Sequence, residues 1–248
     1  MLGVSLFAMT FSFSATAQTC KPVPTCAELG YTETSCTGDS LKCPFDTSKM
    51  YCLPVVPHSC NSSETKVGDI YYSDDTCSSE AISGKTPIGI VFDTDRKLVA
   101  ALTDPHMHWN DGSETSNDIP SLTNYGSGPN PKQDFNGKSN TDAIVAYAAS
   151  SGQAHEAAQF CHNMTTGGKT WYLPALGEML TLPASRETIN EAMERIGVDG
   201  LSVTGYWSST EYYKGNDGYA YEYNSGGLSP MANLRYAMAR TLCIFSYK

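Results

Sequence analysis

The sequence predicts an α+β domain preceded by a small disulfide-rich module, and three observations carry that prediction. Seven of the nine cysteines, Cys20, Cys26, Cys36, Cys43, Cys52, Cys60 and Cys77, fall in the first 77 residues. Residues 141–164 place apolar side chains at helical spacing, while the flanking segments show the short apolar runs and turn residues of strands. The chain has 248 residues, 40% of them hydrophobic, enough for one sizeable core beside a small module.

Taken in order, residues 1–17 read as a signal peptide. An apolar run ends at Ala15-Thr16-Ala17, a small-x-small cleavage pattern, although the usual positive n-region is missing. Ala17-Gln18-Thr19 before Cys20 match a lipid-attachment site poorly. Residues 18–60 form the cysteine-rich module, broken by Pro22, Pro24, Pro44, Pro54 and Pro57. So short a piece needs crosslinks to fold. Cysteines at this density behind a signal peptide read as a disulfide framework in an oxidising compartment. Their spacings, from five intervening residues to sixteen, lack the tight pairs of a zinc site. Nine is odd, so one thiol is left over or pairs between chains. Cys77 is the first candidate for it, with Cys60–Cys77 pairing as the rival.

The polar run 61–66 reads as a linker; Asn61-Ser62-Ser63 is a glycosylation sequon only in a host that glycosylates. The main domain spans 67–248. Residues 67–72, 87–92 and 97–102 read as strands, with a turn at Ser73-Asp74-Asp75 and a hairpin loop at Asp93–Arg96. Residues 103–140 are a long polar stretch whose length marks a functional or poorly ordered loop. Ala143, Ile144, Tyr147, Ala148, Ala154, Ala157, Ala158 and Cys161 make an apolar stripe broken near Ser151-Gly152. Helices are therefore expected over 142–150 and 153–164. Further helix is expected over 175–182 and 186–196, with Ser185 as cap and Gly197 as stop. Residues 206–247 read as short strands separated by turns. No apolar run after the N-terminus is long enough to span a bilayer.

Several of these pieces together carry a resemblance. They are Val67–Asp74, Gly84–Phe92, Asp118-Ile119-Pro120, Trp171-Tyr172-Leu173-Pro174 with Glu178, Tyr206-Trp207-Ser208-Ser209-Thr210-Glu211, and Arg235-Tyr236. The set resembles the C-terminal domain family of bacterial collagen-like adhesins, over about 67–247. That family is similar to C-type lectins in fold, and related to the sulfatase-modifying fold and to retroelement-diversified ligand-binding proteins. The resemblance implies a C-type-lectin-like domain: helices packed on a short twisted antiparallel sheet, long loops, and chain ends close together. It also implies a disulfide between a cysteine on the first helix and one in the final strand, positions given to Cys161 and Cys243. Closing that loop of about 80 residues stabilises by roughly 4 kcal/mol through loop-closure entropy.

The charge excludes some partners. Charged residues are 17% of the chain and the net charge is −10, a poor basis for binding nucleic acid or anionic membranes. Trp109-Asn110-Asp111 invites comparison with the calcium tripeptide of true C-type lectins. However, it precedes the helices, and the sugar-selecting Glu-Pro-Asn and Gln-Pro-Asp triplets are absent. Asp104, Asp111, Glu114 and Asp118 offer some of the six to eight oxygens calcium needs, and a solvated acidic loop explains them better. His106 and His108 would share one face of a strand, but spacing sets no third ligand. His58, His155 and His162 are isolated and fit surface positions. No Gly-x-Ser-x-Gly turn occurs, Ser208-Ser209 has no partner histidine nearby, and only Cys243 is late where sulfatase-modifying relatives use a late pair. The expectation is no catalytic residue, no metal and no cofactor. Trp171, Leu173, Leu176 and Trp207 are core candidates, and Glu178 and Arg235 candidates for a buried ion pair or backbone hydrogen bonds.

Segment 212–236 differs in kind. Tyr, Asn, Ser and Gly dominate it, as they do antibody paratopes, where Tyr gives large contact area at low entropic cost. The ligand-binding candidates are Tyr212, Tyr213, Asn216, Tyr219, Tyr221, Tyr223 and Asn224. Tyr219, Tyr221 and Tyr223 alternate and would line one face of a strand; the competing reading packs their rings on the core. The expected function is non-enzymatic, adhesin-like binding of a glycan or extracellular protein by a secreted, periplasmic or cell-surface protein, through loop 103–136 and segment 212–236. The alternatives are a structural envelope or fimbria-like component, and an enzyme of the sulfatase-modifying fold.

Overall fold

The computed structural model describes residues 56–113, 118–125, 129–214, 217–224 and 231–248, with backbone only at 213–214, 217–224 and 231–232. The expected signal peptide and all cysteines before Cys60 lie outside the described residues. The chain divides between Val55 and Val56, and the described architecture is that of the unit 56–248.

Strands and helices build this unit in mixed α+β order. Strands β1 (His58–Ser59), β2 (Ile70–Tyr72), β3 (Thr76–Ser78), β4 (Pro87–Asp93), β5 (Leu98–Ala101) and β6 (His106–His108) come first. Helices α1 (Gly137–Ser151), α2 (Glu156–Asn163), α3 (Leu176–Met179) and α4 (Leu182–Arg195) come next. Strands β7 (Gly205–Lys214), β8 (Asp217–Asn224), β9 (Met231–Leu234), β10 (Met238–Arg240) and β11 (Ile244–Ser246) complete it. One sheet has the order β1-β3-β2-β4-β5-β11, antiparallel throughout. The other has the order β6-β10-β7-β8-β9, in which β10 runs parallel to β7 at Arg240 and Tyr206.

The apolar runs become strands buried on both faces. Side chains alternate along a strand, so Tyr71, Val91, Val99 and Phe245 face one core with α1 and α2. Ile70, Ile90, Leu98 and Ile244 face the other, with α3 and α4. Ile88 breaks the alternation because Tyr71 pairs with Gly89 and Tyr72 with Pro87, leaving Ile88 as the extra residue of a bulge. The outer edge of β11 is covered in turn, since Tyr172 and Ile244 exchange backbone hydrogen bonds of 2.9 and 3.0 Å.

The helix ends obey their local chemistry. Gly197 adopts φ 71°, its N–H donates to Glu194 O, and Val198 N–H donates to Met193 O. That is a Schellman motif, and Gly197 stops α4 as expected. The start of α4 differs from expectation: Pro183 sits in its first turn, and Ser185 is an interior residue whose hydroxyl donates to Phe92 O. Helix α1 begins earlier than the apolar stripe suggests, at Gly137. In the stripe Ala154 is exposed, and the buried residue is His155, so its expected surface position is corrected.

Both described disulfides are intramolecular. Cys161 bonds Cys243, the pairing the resemblance implied, although Cys161 lies on the second helix, α2, rather than the first, and Cys243 just before β11. Cys60 bonds Cys77 in β3, so Cys77 is not the free thiol. The cause is register: His58 and Ser59 pair with Cys77 and Thr76, which brings Cys60 beside β3. No described cysteine is free, so the odd one is among Cys20, Cys26, Cys36, Cys43 and Cys52.

Candidate functional site

Two motifs of the resemblance, 171–178 and 206–211, meet in one place. Between Trp207 and Glu211 the register of β7 against β8 shifts, and Ser208, Ser209 and Thr210 are fully buried in that bulge. Small polar residues suit it because neighbouring backbone must come close and be hydrogen-bonded. Ser209 N–H donates to Pro174 O at 2.8 Å, and Leu176 N–H to Thr210 Oγ1 at 2.8 Å. The Thr210 hydroxyl donates to Asp134 Oδ2 at 2.8 Å. Gly177 lies so close to the 131–136 segment that an added Cβ would stand 2.4 Å from Asp134 O.

Glu178 completes this junction. Its Oε2 accepts from Ala175 N–H at 2.8 Å and its Oε1 from the Tyr172 hydroxyl at 3.1 Å. Burial pushes its carboxyl up to about 7, against the lowering by those donors. Both of its oxygens are thus taken up by groups of this junction.

Beneath the β7–β8–β9 hairpins lies a second buried group. Glu211 and Arg235 form a fully buried ion pair of 2.6 Å. Glu211 Oε1 also accepts from Ile119 N–H at 3.1 Å, and Tyr125 N–H donates to Glu211 O at 3.1 Å. Burial pushes the Glu211 carboxyl up, and Arg235 opposes that. The guanidinium lies 4.5 Å from the centre of the Trp109 ring, and His155 stands edge-on to that ring at 5.2 Å. Burial and the Arg235 charge hold His155 down at about 4. The indole N–H groups of Trp109, Trp171 and Trp207 donate to Ser208 O, Thr166 O and Met107 O. All three tryptophans are core, as are Leu173 and Leu176.

Much of the polar stretch 103–136 is therefore stapled rather than free. Trp109 N–H donates to Arg235 O at 3.0 Å, and Ile119 is buried. Asp104 receives Arg240 at 3.0 Å and also the Tyr206 hydroxyl, which takes it out of a calcium ligand set. Asp111 and Asp118 are exposed, and Glu114 lies outside the described residues. His108 Nδ1 is 2.6 Å from Tyr236 O, so it is the donor there, while His106 is exposed. Among the described residues no group of three His, Cys, Asp or Glu is placed to hold a metal ion. No helix among them is long and apolar enough to cross a membrane.

The binding candidates sit on one meander. Tyr213 pairs with Gly218, Tyr219 with Tyr212 and Leu234, Tyr221 with Ala232, Tyr223 with Tyr206, and Asn224 with Gly205. Tyr219, Tyr221 and Tyr223 thus occupy alternate positions of β8 and share a face. Tyr212 is half-buried and packs on the core with Tyr206. Asn216 and the side chains of the others lie outside the described residues. Sequence reading quoted Thr210 and Glu211 as part of a motif without a role, and passed over Asp134, which sits in a polar stretch and carries no signal of its own.

No protein-family model and no curated protein matches the chain. In fold it is similar to a fimbrial protein from Bacteroides ovatus, with a TM-score of 0.55 and 18% identity. The match covers 73% of this chain and 49% of that one. The likeness is therefore one of fold, over about half of the larger protein.

Proposed function

We propose that this is a secreted or cell-surface, non-enzymatic binding protein, with a C-type-lectin-like domain of the collagen-like adhesin type. It takes a glycan or an extracellular protein on the tyrosine-rich β7–β8–β9 face. One observation carries the reading most: Glu178, Glu211 and Arg235, charged residues of the motifs in the second half of the chain, are spent on scaffold contacts. That leaves β8, with Tyr219, Tyr221 and Tyr223 at alternate positions, as the display surface on a rigid base. Flat tyrosine rings suit sugar rings and protein surfaces alike. Two disulfides in an acidic chain fit an oxidising, extracellular setting.

A second reading is favoured by the fold likeness: a structural fimbria-like component whose domain packs on neighbours. One experiment separates the two. On a glycan and surface-protein array, the first reading expects hits that the double variant Tyr219→Ala, Tyr221→Ala abolishes. The second expects no hit, and concentration-dependent assembly of the pure protein in light scattering. A stoichiometric metal with turnover of a peptide thiol would overturn both in favour of an enzyme.

A further inference from the structure

We propose a second binding pocket, for an acidic sugar, on the six-stranded sheet and independent of the tyrosine-rich face. It opens between the turn after β1 and the β4–β5 hairpin, with a volume of about 240 Å³. Asn61, Ser62, Ser63, Thr94, Lys97 and Tyr247 carry its chemistry, and no carboxylate lines it.

Lys97 is the centre of the case. Its ammonium donates to the Asn61 amide oxygen at 2.6 Å and makes no ion pair among the described residues. Lys85, Lys138 and Lys169 each rest on an aspartate; Lys66 and Lys132 form no ion pair among the described residues either, but neither lines this pocket. In a chain of net charge −10, an uncompensated cation at a polar pocket is set for an anion. Its backbone adds to this. Lys97 adopts φ 58° at the end of the hairpin, where the register of β4 against β5 slips. Glycine takes that conformation without the Cβ penalty and is the usual occupant of such a bulge. A lysine held there against its preference is the pattern of side chains kept for function rather than stability.

Both walls are fixed. The Cys60–Cys77 disulfide anchors the turn that carries Asn61, Ser62 and Ser63. Tyr247 N–H donates to Lys97 O at 3.0 Å and holds the hairpin to the chain end. Ser62 Oγ accepts from Glu64 N–H at 3.2 Å, which leaves its own proton to donate. The hydroxyls of Ser62, Ser63 and Thr94 suit a polyol ring, and the Lys97 ammonium suits the carboxylate attached to it.

The test is a titration of the full chain with sodium glucuronate, monitored by the amide resonances of Ser63, Thr94 and Lys97, with glucose and inorganic sulfate as controls. Saturable shifts with glucuronate are expected, and at least about ten-fold weaker binding of both controls, since each lacks part of the contact set. Lys97→Gly should abolish the response and leave the melting temperature unchanged or higher. A generic structural lysine would not behave so. The proposal is overturned if glucuronate gives no saturation at millimolar concentration, if sulfate binds as tightly, or if Lys97→Gly binds as well as the parent.

Discussion

The two sheets of this protein are held by different physics. The six-stranded sheet has apolar cores on both faces, and its β11 edge is covered by Tyr172. Its cohesion is area, spread over many side chains, each contributing a share. The five-stranded sheet is centred on directional contacts: Glu211 to Arg235, Asp104 to Arg240, Trp109 to Ser208 O. Contacts of that sort position a surface closely but fail abruptly when one partner is lost. The difference teaches that a body tolerant of change can carry a face whose shape depends on a few obligate residues.

The sharpest way to break this contrast is Arg235→Ala. Leaving Glu211 buried without its cation should cost about 3–5 kcal/mol, measured by urea denaturation, against about 0.5–1.5 for Ile90→Val in the other sheet. Equal losses would dissolve the distinction. Next comes Cys161→Ser with Cys243→Ser, expected to cost about 2–4 kcal/mol by releasing the long loop. A loss below about 1 kcal/mol would mean the reduced chain keeps the two elements together unaided.

The pH dependence is smaller and has two opposing signs. The folded-state value of Glu178 is raised from 4.5 to about 7, so its contribution is full below pH 4.5 and is lost as pH rises through 7. That of His155 is lowered from 6.5 to about 4, so its contribution is present above pH 6.5 and is lost as pH falls towards 4. Each spans at most on the order of 3 kcal/mol. Glu178→Gln should therefore reduce the loss between pH 4.5 and 7, where Glu211 is raised as well, and His155→Met should flatten the acid side between pH 6.5 and 4. Urea midpoints across that range decide it; unchanged profiles would remove both groups from the account. The smallest expected effect is on the tyrosine face, where Tyr219→Ala with Tyr221→Ala should change stability by less than about 0.5 kcal/mol while binding is lost. A loss of about 2 kcal/mol or more would assign these rings to the core instead, the role Tyr212 already shares.

Legibility in the sequence divides along the same line. Continuous apolar runs such as Ile88–Phe92 announce doubly buried strands, and Gly197 announces a helix stop. Strands β3 and β6 escape a sequence reading because Thr76-Cys77-Ser78 and His106-Met107-His108 carry no apolar pattern; partners placed by the fold make them strands. His155 passes for a surface residue because a lone histidine gives no sign that Trp109 and Tyr147 will enclose it. The tyrosine candidates are visible as composition, but the platform under them depends on residues 24 positions apart finding each other.

The two disulfides have a mechanical meaning as well. They join residues 17 and 82 positions apart, and together they lock close to half of the unit against extension. A pull along the chain can lengthen the interval from Cys77 to Cys161, while the stretch holding the tyrosine meander carries no load, bypassed by the Cys161–Cys243 link. Reduction would release about 350 Å of hidden contour length. The proposed binding face, placed inside a covalent bypass, would keep its shape while the rest of the unit yields under a pull.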